Sequence, residues 1–270
     1  MAISKLAVVS PKAELATDVE VGPFSYIGPD VVIGSGTVLH QGVTVVGHTR
    51  LGCRNEAFPN VCIGTPPQDI SYRDEPTQTV IGDDNVFREN VTIHRGTTKE
   101  DRVTRLGSRC YLMACSHVGH DCDVGDNVIL GNNVLVGGHV HIESGVIMNG
   151  GAAIHPFTTI GRLAYIGGLT RVVQDVPPFM ILEGHPSRVR NINSVGMRRA
   201  GMAEDAIEWV AKAYRRIYRR GRPQAQVLEE MEHEPEWPEE VRFLCQFLRA
   251  TSSGKHGRYR ESLRNKKPSA

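Results

Sequence analysis

Every sixth residue from Leu106 is apolar: Leu106, Leu112, Val118, Val124, Leu130, Val136, Ile142, Met148, Ile154, Ile160, Ile166 and Val172. The residue two places before each is small or β-branched, from Thr104, Cys110, Ser116 and Cys122 to Thr170. Glycine often follows the apolar residue, as at Gly107, Gly119, Gly125, Gly131, Gly137, Gly161 and Gly167. The same frame runs from Leu15 through Val21, Ile27, Ile33, Leu39, Val45, Leu51 and Ala57 to Ile63, and a short run adds Ile81, Phe87 and Ile93. A period of six fits neither the 3.6 of a helix nor plain strand alternation. It fits a parallel β-helix, in which each hexad is a short strand and a turn. The apolar residue points inward, the small residue shares that interior, and glycine is expected to serve the turn. At three hexads per coil, the 24 hexads predict about eight coils.

The frame breaks twice. Residues 65–79 (TPPQDISYRDEPTQT) and 94–105 (HRGTTKEDRVTR) are too long and polar for coil turns, so both are expected to be loops on the scaffold. Pro177 and Pro178 end the repeat. Beyond them Ala206, Ile207, Val210, Ala211, Tyr214, Ile217 and Tyr218 form a helical stripe, with Gly221 and Pro223 as stops. Val227, Leu228 and Met231 predict a second helix, and Val241, Leu244, Cys245 and Leu248 a third. The expected organisation is a β-helix over 1–190, with residues 1–12 a lead-in, and a small α-helical C-terminal domain over 191–270. The basic tail SSGKHGRYRESLRNKKPSA is expected to be disordered.

Net charge is +1 but unevenly placed. Residues 1–186 hold 13 Lys and Arg against 19 Asp and Glu; residues 187–270 hold 18 against 11. A basic C-terminal part suits an acidic partner. Few aromatics and no nucleic-acid motif argue against nucleic acid. No apolar run is long enough to span a membrane, and the N-terminus lacks a secretory pattern, which predicts a cytoplasmic protein. Six cysteines without metal-site spacing are expected to be reduced thiols, with Cys110 and Cys122 on the inward track. Flat faces on a β-helix predict packing against copies of itself.

Histidines gather in the long run and at the mouth of the second loop: His94, His117, His120, His139, His141 and His155. One coil is 18 residues, so His120 stacks under Gly138 and Asp121 under His139 on one edge of the prism. Three readings are open from the residues alone: ordinary surface turns, a zinc site shared between copies, or a general base. In the last, His120 removes a hydroxyl proton with Asp121 beside it, and a backbone N–H at Gly137-Gly138 meets an oxyanion.

TIHRGT (92–97), HVGHDC (117–122), GGHV (137–140) and QDVPP (174–178) together resemble the UDP-N-acetylglucosamine O-acyltransferase family, the first acyltransferases of lipid A biosynthesis. The likeness extends through RRAG (198–201) into the helical part. It implies a left-handed β-helix, a homotrimer, and transfer of a 3-hydroxyacyl chain from acyl carrier protein to the 3-hydroxyl of a UDP-sugar, with no metal or other cofactor. It implies His120 as base, Asp121 as its support and Gly138 as the oxyanion donor. Asp69 would bind the sugar, and His94, His117, His139 and His155 would line the cleft. Gly168 would limit acyl-chain depth, and Asn193 and Arg199 would lie near the nucleotide. Arg215, Arg216, Arg219, Arg220 and Arg222 would either dock the acidic carrier protein or form an ordinary solvated helix face with i, i+4 spacing. Four positions depart from the pattern. Ser71 stands where relatives carry Lys, and Pro156 where Gln is common. Val195 and Ala200 replace a commonly acidic and a commonly basic residue. These departures keep a 3-amino sugar nucleotide open as the substrate. The rival readings are a later N-acyltransferase, which needs a separate N-terminal domain, a metal-dependent β-helix enzyme, and a non-catalytic scaffold.

Overall fold

A computed structural model describes residues 2–219 and 221–263. Its first part is a three-sided prism of parallel strands, each two to four residues long. Partners in successive coils lie 18 residues apart, as in Glu20↔Val38, His117↔Leu135 and His141↔Thr159. The inward track from Val21 to Val172 is buried. Each Val, Leu or Ile so buried contributes about 1.5–3 kcal/mol, and the stack repeats that gain coil after coil.

Two expectations change. Residues 1–12 are not a lead-in, because Ala2–Ile3 pairs with Glu20–Val21 and Val8–Val9 with Tyr26–Ile27. One face therefore carries nine strands, one coil more than the frame suggested. The glycines after the apolar residue do not serve the turn either. The left-handed backbone falls two residues later, at Arg109, Cys115, Asp121, Asn127, Asn133, His139, Gly145, Gly151, Phe157, Leu163 and Leu169. Gly119 is instead required by stacking: a Cβ there would lie 2.8 Å from the Gly138 nitrogen of the next coil.

Some polar residues on the inward track bond to their neighbours, whereas the Ser116 and Thr79 hydroxyls are buried without a partner. Asn55 Oδ1 accepts from Asn85 Nδ2 at 3.0 Å, and Asn85 Oδ1 accepts from the Cys110 N–H at 2.7 Å. Cys110 and Cys122 lie with Sγ 3.2 and 3.1 Å from the carbonyls of Gly125 and Gly137. Burial pushes their thiols up to about 11 and about 12, so both stay protonated.

Both excursions open at one corner. Pairing jumps from Cys62 to Thr92 across the first and from Thr92 to His117 across the second. The irregular stretches are 66–77 and 95–102, because strands Gln78–Ile81 and Val103–Leu106 reclaim the loop edges. Residues 119–122, 137–140 and 155–158 are the same corner in the next three coils.

The prism ends with strand Met180–Glu183, on which Arg188–Ile192 folds back antiparallel. Helices α1 (Ser194–Arg199), α2 (Glu204–Tyr218), α3 (Gln224–Glu232), α4 (Glu239–Ser253) and α5 (Tyr259–Leu263) follow. They bury Val210, Ile217, Leu228, Trp237 and Leu244 against Phe179 and Met180 from the end of the prism. Among the described residues no helix is long and apolar enough to cross a membrane. The tail departs from the expected disorder up to Leu263. A bridge joins Lys255 to Arg258, and α5 anchors to the prism through Tyr259 N–H on Asp175 Oδ2 (2.8 Å) and Arg258 Nη1 on the Val173 carbonyl (2.6 Å). Residues 264–270 of that tail lie outside the described residues.

Candidate active site

The corner that carries both excursions gathers the histidines. His120 Nδ1 lies 2.8 Å from Asp121 Oδ2. Asp121 is buried in the left-handed turn, its backbone N–H donating to Thr104 Oγ1. Its carboxylate also takes the Thr97 N–H on Oδ1 (2.7 Å) and the Thr97 hydroxyl on Oδ2 (2.6 Å). Burial opposes ionisation of Asp121, but the hydrogen bonds from His120 and Thr97 outweigh it and hold the carboxyl below its ordinary range. A fixed carboxylate at Nδ1 selects the Nδ1–H tautomer of His120 and leaves Nε2 as a proton acceptor.

His139 sits one coil on, its N–H bonded to the His120 carbonyl at 2.9 Å. Its ring stacks on Phe157 at 4.3 Å and meets His120 edge-on at 4.9 Å. Nδ1 of His139 is buried without a well-aligned partner, facing Glu100 Oε1 at 3.3 Å and Asp121 Oδ2 at 3.7 Å. His120, Asp121 and His139 each offer one ligand atom within 4.8 Å of the others, so the set has the spacing to hold a cation.

Gly138 lies against the face of His120: a Cβ there would be 2.6 Å from Cε1 and 2.8 Å from Nε2. At comparable turns the backbone N–H meets a side chain one coil on, as Ser108 donates to Asp126 Oδ1 and Asp126 to Ser144 Oγ. One coil on from Gly138 is Pro156, whose ring offers no acceptor.

His94 and His117 share the adjacent face, rings 4.7 Å apart, with Thr92 Oγ1 2.8 Å from His117 Nδ1. Burial, then the neighbouring imidazoles His117 and His120, bring His94 down to about 4. Burial and His120 lower His117 as well. Both rings therefore stay neutral at pH 7 and can accept hydrogen bonds. His155 sits higher on the same edge, Nδ1 2.8 Å from the Pro156 carbonyl.

The two excursions meet. Lys99 Nζ contacts Asp69 Oδ2 at 2.5 Å, and Ser71 donates to Asp69 Oδ1 through N–H (2.9 Å) and hydroxyl (2.8 Å). Lys99 holds the Asp69 carboxyl well below the usual range. Thr97, Lys99 and Glu100 thus reach Asp121, Asp69 and His139 from a single loop, and none was singled out from the sequence. Coil register places that loop directly below His120, but it does not place the residues within the loop.

Residues 12–47 and 104–138 match the family model of bacterial transferase hexapeptide repeats. Residues 175–257 match the model described as UDP-N-acetylglucosamine O-acyltransferase, domain 2. The chain is 41% identical over 255 residues to an acyl-[acyl-carrier-protein]–UDP-N-acetylglucosamine O-acyltransferase of Syntrophobacter fumaroxidans, covering 94% of this chain and 99% of the relative. The chain belongs to the UDP-N-acetylglucosamine O-acyltransferase family. A relative of the same name from an Anaeromyxobacter strain is 45% identical over 210 residues, covering 78% of this chain and 82% of that one. The structure of LpxA from Acinetobacter baumannii superposes with a TM-score of 0.86 at 40% identity, covering 91% of this chain and 96% of that chain. LpxA, a UDP-N-acetylglucosamine acyltransferase from Bacteroides fragilis, gives 0.87 at 35% identity over the same shares. A coil of opposite hand does not superpose in this way, so the chain winds as these acyltransferases do, and the expected left hand goes with the family.

Not every residue expected in the site joins this edge. Gly168 lies on another corner, exposed, where a Cβ would meet only the Gly150 carbonyl at 3.4 Å and Asn149 Cβ at 3.9 Å. Asn193 is buried as the cap of α1, accepting from the Gly196 N–H at 3.0 Å and donating to the Leu163 carbonyl at 2.8 Å. Arg199 is exposed in the last turn of α1. The arginine row is partly committed within the fold. Arg216 pairs with Glu234 and Glu230, Arg222 with Glu230, and Arg219 bonds Tyr214 and the Arg190 carbonyl. Arg215 is exposed, and Arg220 lies outside the described residues.

Proposed function

We propose that this acyltransferase moves a 3-hydroxyacyl group from acyl carrier protein to the 3-hydroxyl of UDP-N-acetylglucosamine, with His120 as general base. The observation that carries the reading is the His120–Asp121 pair, with the Gly138 backbone against the imidazole face. His120 Nε2 takes the hydroxyl proton as that oxygen bonds to the thioester carbonyl carbon. The carbonyl electrons move onto oxygen, and the Gly138 N–H is the donor that meets the charge. Collapse expels the carrier thiolate, which recovers the proton from the imidazolium, so His120 ends as it began. Thr97 and Thr104 fix Asp121, and Asp121 fixes the tautomer of His120.

Asp69 is assigned to the sugar, and the neutral rings of His94 and His117 to hydrogen bonds with substrate. His139 and His155 line the edge above them. Gly168 is assigned to the acyl chain, and Arg199 with Asn193 to the nucleotide end. Gly168 and His120 stand on different corners of one prism, so a cleft that uses both requires a second copy. That requirement supports a homotrimer. Among the described residues of the row, Arg215 is the exposed member left to meet an acidic carrier protein. A reaction between a nucleotide sugar and an acyl carrier protein is assigned to the cytoplasm.

Turnover of 3-hydroxyacyl carrier protein and UDP-N-acetylglucosamine tests the reading. His120→Ala is expected to lower kcat by about 10²–10⁴-fold with folding retained. Product from only the 3-amino sugar nucleotide would move the acceptor from oxygen to nitrogen. No product with either sugar would sink the acyltransferase reading. Metal content of the purified protein tests the competing use of the His120–Asp121–His139 set.

A further inference from the structure

The described tail ends against the active-site edge. Gly257 packs on Gln174, the same corner three coils above His120, and the Asp175 N–H donates to the Gly257 carbonyl at 2.8 Å. Asp175 is buried, its two oxygens taken by the Thr159 and Tyr259 N–H groups. Arg258 is buried as well, pinned by the Val173 carbonyl and by Glu261. These contacts bring the next residue but one, Arg260, down to Glu100, with Nη2 at 3.0 and 3.3 Å from the two carboxylate oxygens. Glu100 in turn faces His139 Nδ1 at 3.3 Å. Arg260 lies beyond the stretch that the acyltransferase domain model matches, which ends at residue 257.

We infer that the C-terminal segment 255–263 is part of the active-site framework, with Arg260 a positioning residue that holds Glu100 against His139. The inference rests on the acyltransferase reading above. Two carboxylates, Glu100 and Asp121, converge on one imidazole nitrogen. Their mutual repulsion would drive the more mobile one away, and Glu100 is the one on the loop. The Arg260 guanidinium opposes that repulsion from the far side of Glu100. Burial works against the Glu100 charge, but His139 and then Arg260 outweigh it, and the carboxyl stays below its usual range. With Glu100 held, the His139 ring is fixed by three groups: Glu100 at Nδ1, Phe157 on its face and His120 at its edge. Without Arg260, Glu100 is free to leave, and His139 loses the nearer of the two carboxylates that Nδ1 faces.

The test compares Arg260→Ala, Arg260→Lys, Glu100→Gln and the double variant Arg260→Ala/Glu100→Gln in the acyl-transfer assay, with melting temperatures alongside. Arg260→Ala is expected to lower kcat roughly tenfold, with KM for both substrates within about twofold. Arg260→Lys should recover most of the loss. The double variant should be no slower than Glu100→Gln, because the two residues act in series. Wild-type kcat in Arg260→Ala, or losses that add in full in the double variant, would overturn the inference. If Arg260→Ala lowers the melting temperature sharply, Glu100→Gln reads the same link with the tail intact. Histidine ring ¹⁵N shifts keep the two readings apart. Should the wild type turn over neither sugar nucleotide, the acyltransferase reading fails. The link then stands only if His139 is the Nδ1–H tautomer in wild type and a mixture in Arg260→Ala, and identical spectra would dismiss it.

Discussion

The regular coils and the segments that interrupt them contribute to the site in different ways. The coils place His120, Gly138, His139 and His155 on one edge, because an 18-residue turn brings the same corner back at each level. They give position but little control of charge: the coil itself supplies only Asp121. The inserted loops and the tail supply the rest, with Thr97 on Asp121, Lys99 on Asp69, and Arg260 on Glu100. A rigid repeat fixes where a ring stands, and irregular additions hold the carboxylates around it in place.

Gly138→Ala should break the first half of that division most severely. The new Cβ has no backbone strain to overcome, but it must displace the His120 ring, 2.6 Å away. The ring is the end of a side chain and can swing, so the fold survives while the base moves. A misplacement of about 1 Å is expected to cost roughly 100-fold in kcat, with the melting temperature close to wild type. Wild-type kcat would show that the His120 position is set elsewhere than by the coil edge.

Lys99→Ala probes the second half with a smaller effect. Asp69 would lose the ammonium that holds its carboxyl down, keeping only Ser71. KM for the sugar nucleotide is expected to rise about tenfold with little change in kcat. Ser71→Lys in that background should restore binding, because it returns an ammonium beside Asp69, which Ser71 already contacts. A rise in KM that Ser71→Lys leaves untouched would mean that Lys99 contacts substrate itself rather than acting through Asp69.

The same division explains what could be read from the sequence. Leu106 to Val172 announced the core because burial recurs every six residues, and the stacking of Asp121 under His139 followed from counting. Ile3 and Val9 belong to that frame and were passed over. They lie in the first described coil and are only partly covered. The glycines after the apolar track misled for a physical reason: composition shows that a Cβ is unwelcome, but not whether backbone angle or a neighbouring coil forbids it. Thr97, Lys99 and Glu100 were hidden because an irregular loop carries no register. Arg260 was hidden because its partner is 160 residues away. Polarity and positive charge suggested a loose tail, whereas Asp175 and Arg258 tie it down.

An effect confined to acid pH lies at the seam between coil and insert, where strand Thr92–His94 gives way to the second loop. His94 is a base whose folded value, about 4, lies below its ordinary 6.5. Between those values the unfolded chain binds the proton and the folded one does not, so acid favours unfolding. Above pH 6.5 His94 contributes nothing to the pH dependence. As pH falls from 6.5 toward 4, the wild type should lose roughly 1–3 kcal/mol from this one ring. His94→Gln keeps a polar side chain without a titrating proton and should flatten that limb in urea melts at stepped pH. Equal acid limbs in the two proteins would mean that His94 titrates as it does in water. The seam would then be open to solvent, and the insert would leave the ring of the coil edge uncovered.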